Sequence, residues 1–172
     1  MFKLLPILPW LFLMFQPLNA KVEAPNYKFD PKVLEVFFPG KTLAGIEAKH
    51  GKGEALGKSK EFEILKFQVK DKQYNFSVLV QQNEGVVHDF HARLPSYFLH
   101  DVFFQDLIKV LGKQDVYKKT LEEAYYQWNK NDLVFVYSAS CTITCFPVFF
   151  GGYKKDSFSS SLLGKMKEAN AP

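Results

Sequence analysis

The stretch Asp71-Lys72-Gln73-Tyr74-Asn75-Phe76-Ser77-Val78-Leu79-Val80 decides the fold class. Tyr74, Phe76, Val78 and Val80 alternate with their neighbours, which is the period of a strand with one buried face. Upstream, Asp71-Lys72 reads as a turn, and Phe62, Ile64, Val69 with Leu65 and Phe67 read as a strand with an irregularity. Downstream, Gln82-Asn83-Glu84-Gly85 is a second turn signal, and Val86 to Leu94 is a third strand closed by Pro95. Connections this short leave no room for crossover helices, so the strands are expected to be antiparallel.

Helices precede this sheet. Asp30 can cap and Pro31 suits a first helical position, with Val33, Leu34, Phe37 and Phe38 at helical spacing before Pro39-Gly40. A second helix is predicted over Thr42 to His50, with Leu43 and Ile46 on its apolar face and Gly51 as terminator. A Gly- and Lys-rich connection then runs through Ser59. The same order returns further on. Phe103, Phe104, Leu107, Ile108 and Leu111 form a helical stripe, with Asp101 as cap and Gly112 as stop. Glu122 to Trp128 is a strand, Asn129 to Asp132 a turn and Leu133 to Tyr137 a strand. A segment from Cys141 to Phe150 carries Pro147, the mark of an edge or a bulge. Gly151-Gly152 is read as the end of regular structure. From Lys154 a polar tail either finishes in a short helix around Leu162 to Lys167 or stays disordered.

Ile46 to Lys52 can be laid over Leu107 to Lys113, with 61 positions between Gly51 and Gly112. Glu63 to Phe67 lies over Glu123 to Gln127 at a separation of 60. The fold class is therefore α+β: two helix-plus-antiparallel-sheet repeats forming a continuous or paired antiparallel sheet, with helices on one face. The units are 21–95 and 96–153, followed by a tail, 154–172.

Residues 1–20 read as a cleavable signal peptide. Lys3 is their only charge, Leu4 to Phe15 is an apolar run containing Pro6 and Pro9, and Leu18-Asn19-Ala20 ends on a small residue. A cut after Ala24 would leave Pro25 just beyond it, so cleavage is placed after Ala20. The apolar run is shorter than the roughly 20 residues of a spanning helix, and no later stretch is long and apolar enough to span. A periplasmic or secreted protein with no membrane span after cleavage is expected.

The net charge of +4 is dispersed, and Arg93 is the only arginine. Bidentate phosphate recognition favours arginine, so nucleic acid is not expected as a partner. Eighteen phenylalanines and eight tyrosines exceed what a core of this size ordinarily needs. Rings fill cores, and they are also enriched at interfaces. Tyr74, Phe76, Tyr126, Trp128 and Tyr137 are the candidate contacts of an aromatic-bearing sheet face, with core packing as the competing reading of each.

Cys141 and Cys145 are the only cysteines. Export favours a disulfide between them. Four positions of straight strand span about 13 Å, beyond the bridging limit of roughly 7 Å, so a bridge requires Thr142-Ile143-Thr144 to turn. His88, His91 and His100 form the only histidine cluster, and the alternative function is an exported metal-binding protein or enzyme using them. A strand through Val86 to Leu94 puts His88 and His91 on opposite faces, which opposes a shared metal. No Gly-x-Ser-x-Gly turn occurs, and Gly51-Lys52-Gly53 is not a phosphate loop because it lacks the Gly-Lys-Ser/Thr ending. No catalytic residue and no cofactor are assigned.

Leu111-Gly112-Lys113, a polar linker and Tyr126-Gln127-Trp128 resemble the small bacterial envelope domains typified by the SmpA/OmlA outer-membrane assembly lipoproteins. The tandem arrangement is similar to the β-lactamase inhibitory protein (BLIP-like) fold, in which two such units make one concave sheet. The resemblance covers roughly Pro39 to Phe150. The first unit departs from it, with His50-Gly51-Lys52 in place of Leu-Gly and no Tyr-x-Trp strand, and no cysteine stands near the leader's end to carry a lipid. What the resemblance implies is a non-catalytic role, binding a protein or a cell-envelope component.

Overall fold

The computed structural model describes residues 29–59, 61–72, 74–95, 100–121, 123–141 and 145–169, so the expected leader lies outside the described residues. Eight strands form one antiparallel sheet. They are β1 (Glu54–Lys58), β2 (Glu63–Asp71), β3 (Tyr74–Asn83), β4 (Val86–Leu94), β5 (Val116–Lys119), β6 (Glu123–Lys130), β7 (Leu133–Cys141) and β8 (Cys145–Lys154). Their spatial order is β1-β2-β3-β4-β8-β7-β6-β5, so two four-stranded meanders meet where β4 pairs β8. Helix α1 (Leu43–His50) leads into the first half and α2 (His100–Leu111) into the second.

Local chemistry accounts for the lead-in helices. Asp30 accepts the Lys32 amide at 3.0 Å and caps Pro31–Phe37, which is wound as a 3-10 helix. Thr42 caps α1 by accepting the Gly45 amide at 3.3 Å. Gly51 and Gly112 end α1 and α2 at φ of +79° and +78°, the left-handed conformation that glycine adopts without strain. Each helix is followed by an edge strand, β1 or β5. Sequence periodicity missed both edges. β1 is exposed along its whole length, so its residues carry no inside-outside alternation, and β5 is only four residues long.

The alternation around Tyr74 is borne out, and one sheet face is buried throughout. Phe67, Val69, Tyr74, Val78, Val80, Ala92, Leu94, Tyr126, Trp128, Phe135, Tyr137 and Phe150 pack with Leu34 and Phe37 of the 3-10 helix, Ile46 of α1, and Phe103 and Leu107 of α2. Trp128 Nε1 donates to the Gly112 carbonyl at 2.8 Å, tying the Tyr-x-Trp strand to the end of α2. One core therefore runs under both halves.

Two expectations are corrected here. Gly151-Gly152 does not end the regular part but lies within central strand β8. A β-carbon on Gly152 would stand 2.8 Å from the Phe90 ring and 2.9 Å from the Phe135 ring, so those rings close over the bare backbone. The helices also do not all share one face. α3 (Leu162–Ala169), folded from the tail, packs through Leu163 against Val134, Val136 and Tyr153, whose side chains leave the sheet on the opposite side. Pro147 falls at the register shift between Ala139 and Cys141, so the bulge alternative holds within a central strand.

Candidate binding face

The face away from α1 and α2 begins with an irregularity in β4. Gln81 pairs with Asp89 and Gln82 with Val87, which leaves His88 as the extra residue of a bulge. The bulge turns His88 and Asp89 to the same side. Regular alternation then sends Phe90, Ala92 and Leu94 to the core and His91 and Arg93 to the open face. His88 and His91 thus share a face, in place of the opposite faces that an unbroken strand implies.

The first part of this face is occupied by the chain's own C-terminal segment. Asp89, 1% exposed, accepts the Leu162 amide at 3.0 Å through Oδ1. Ser161 accepts the Gly164 amide at 3.1 Å and caps α3. Gln81 Nε2 donates to the Ser160 carbonyl at 3.0 Å, and Lys165 Nζ donates to Gln81 Oε1 at 3.0 Å. His88 Nε2 lies 3.4 Å from Ser160 Oγ, and its ring stacks on Phe62, over which Lys165 also sits. Asp89 Oδ2 has no hydrogen-bond partner among the described residues. Burial pushes the Asp89 carboxyl up to about 7, against the opposing pull of the Leu162 amide and Lys165.

Beyond α3 the sheet opens into a groove of about 610 Å³. Two cross-strand rows make its floor. One runs Ser77, Arg93, Phe149, Ser138 across β3, β4, β8 and β7, and the next runs Lys66, Leu79, His91 from β2. Leu163 and Met166 of α3 form a wall, and Glu123 stands at the β6 end. The His91 ring stacks on Phe149 with centroids 5.1 Å apart, and burial holds its pKa down to about 4, so it presents a neutral imidazole. Lys66 is paired with Glu54 at 3.5 Å. Arg93 is exposed and makes no hydrogen bond or ion pair among the described residues. The groove therefore offers apolar surface, two hydroxyls and a guanidinium that no described residue pairs.

The five aromatic candidates lie elsewhere. Tyr74, Phe76, Tyr126, Trp128 and Tyr137 are all buried in the core between sheet and helices, Trp128 and Tyr137 completely. Their side of the alternation is the one that the helices cover. Residues of the complementary parity, Ser77, His91, Arg93 and Phe149, make the accessible face. The alternation around Tyr74 separates Ser77 from Tyr74 and Phe76, but which of the two faces the helices cover is not written in that period.

His100 opens α2, but its side chain lies outside the described residues. Among the described residues no group of three His, Cys, Asp or Glu side chains could hold a metal ion, and no helix is long and apolar enough to cross a membrane. Cys141 ends β7, Cys145 begins β8, and the ladder makes them cross-strand partners, with 142–144 between them outside the described residues. No protein family, curated protein or solved structure matches this chain.

Proposed function

We propose that this chain is an exported, non-catalytic binding protein that takes a protein or cell-envelope component on the open face of its sheet. The observation that carries the reading is the asymmetry of the two faces: one is sealed beneath the helices, while the other holds a groove beside α3. Grooves of about 300–1,000 Å³ with an apolar lining and a few polar groups are the usual form of a binding site. The two halves, each a helix followed by four strands, are read as copies of one unit whose β4–β8 junction makes a surface wider than either half offers. That arrangement is what the resemblance to tandem envelope domains implies. The leader-like N-terminus supports a periplasmic or secreted location.

Site-specific photo-cross-linking in the native envelope tests the reading. A photoreactive residue at Gln68, Ser77 or Ser138 should give reproducible adducts, whereas one at Glu47 on α1 should not. Adducts from Glu47 alone, or none from the sheet positions, would overturn it.

A further inference from the structure

The groove has a chemical polarity that narrows its occupant. Arg93 stands at its β4 position with no ion pair among the described residues, and Ser77 is its register partner on β3. On the other side, β8 places Phe149 opposite Arg93, and α3 sets Leu163 and Met166 along the wall. Leu79 and the neutral, Phe149-stacked His91 continue the low-polarity floor. The acidic Glu123 is displaced to β6, three strands from Arg93. At about 4.8 Å per strand it is about 14 Å away. An anion at Arg93 therefore meets a cation and a hydroxyl, with no carboxylate of the described residues beside them. The apolar part of the same molecule lies over Phe149, Leu163 and Met166.

Resting on the binding reading above, we propose that the groove is a site for a free single-chain amphipathic carboxylate, a fatty-acid-like molecule. Its head group is held by Arg93 and Ser77, and its chain runs along Phe149 and the α3 wall. Charge complementarity selects the carboxylate, because Arg93 is exposed and unpaired among the described residues, and guanidinium–carboxylate contacts are among the stronger hydrogen bonds. The groove's open, shallow form along one helix suits a single acyl chain laid lengthwise.

The test is fluorescence titration of the purified protein with cis-parinaric acid and with its methyl ester. The acid should bind saturably at one site per chain, about tenfold tighter than the ester. Arg93→Gln should weaken the acid about tenfold and leave the ester unchanged. Ser138→Trp, which fills the groove from an accessible position, should abolish both while circular dichroism and thermal melting stay close to the parent protein. Equal binding of acid and ester, indifferent to Arg93→Gln, would overturn the carboxylate assignment. Absence of saturable binding, or binding untouched by Ser138→Trp, would overturn the site itself. Vesicles of anionic phospholipid form a further arm: capture of intact vesicles in preference to the free acid would overturn the single-chain source. None of these outcomes bears on the photo-cross-links, so failure of this site and failure of the binding reading are separable.

Discussion

Asp89 and His91, two residues apart on β4, respond to acid in opposite senses. Burial raises the Asp89 carboxyl from its ordinary 3.8 to about 7, so the folded protein holds that proton more tightly than the unfolded chain does. Its contribution to stability is fully present below about 3.8 and is lost as pH rises through about 7. Burial lowers His91 from 6.5 to about 4, so its contribution is present above 6.5 and is lost as pH falls toward 4. Between these limits the two slopes, each at most about 1.4 kcal/mol per pH unit, oppose one another. His88 and His50 are also lowered by burial and add to the His91 sense. Asp89→Asn should therefore leave a protein that loses stability on acidification from pH 6.5 to 4.5 more steeply than the parent. Urea midpoints across that range measure it, and an unchanged pH profile would contradict the burial assigned to Asp89. Also at this scale, Gly152→Ala should destabilise by about 1–3 kcal/mol, because its methyl group would meet the Phe90 and Phe135 rings inside a packed core. A urea midpoint equal to the parent's would show that the rings have room to move.

Elements are placed by register as much as by pattern. The β7–β8 ladder sets Cys141 opposite Cys145. Directly opposed antiparallel residues have α-carbons about 4.5–5.5 Å apart, inside the range of about 4.4–6.8 Å that a disulfide spans. A bridge is expected under oxidising conditions, and intact mass after alkylation reads it as two alkyl groups that are taken up only when reductant is added first. Since the loop it closes is short, its removal should lower stability only modestly, and a reduced protein that fails to fold would contradict that. The edge strands show the limit of pattern reading: β1 is legible only through its pairing with β2, since all five of its residues face solvent.

For the molecule as a whole, continuity of the core matters more than the number of units. Residues of both halves pack into one cluster, and Phe90 and Phe150 meet across the β4–β8 seam at 5.7 Å. The two halves should therefore unfold together. Coincident urea transitions are expected by Trp fluorescence of the chain without residues 1–20, where Trp128 of the second half is the reporter, and by far-ultraviolet circular dichroism, which reports both halves. Two resolved transitions would show that the halves are independent.

The sequence by itself determined the strand alternation around Tyr74, the antiparallel connections, the Asp30 cap, the glycine stops of α1 and α2, and the helix-then-strands order that recurs. Each is set by contacts within a few residues, so each leaves a local period or a turn signature. Tertiary structure alone decided that the helices cover the sheet face carrying Tyr74, Phe76 and Trp128. It also decided that a bulge at His88 re-aims the next residues, that the polar tail docks as α3, and that Arg93 stands in a groove between strands distant in sequence. These features depend on which strand lies beside which and on what covers each face. Long-range packing sets both, and no local period records it.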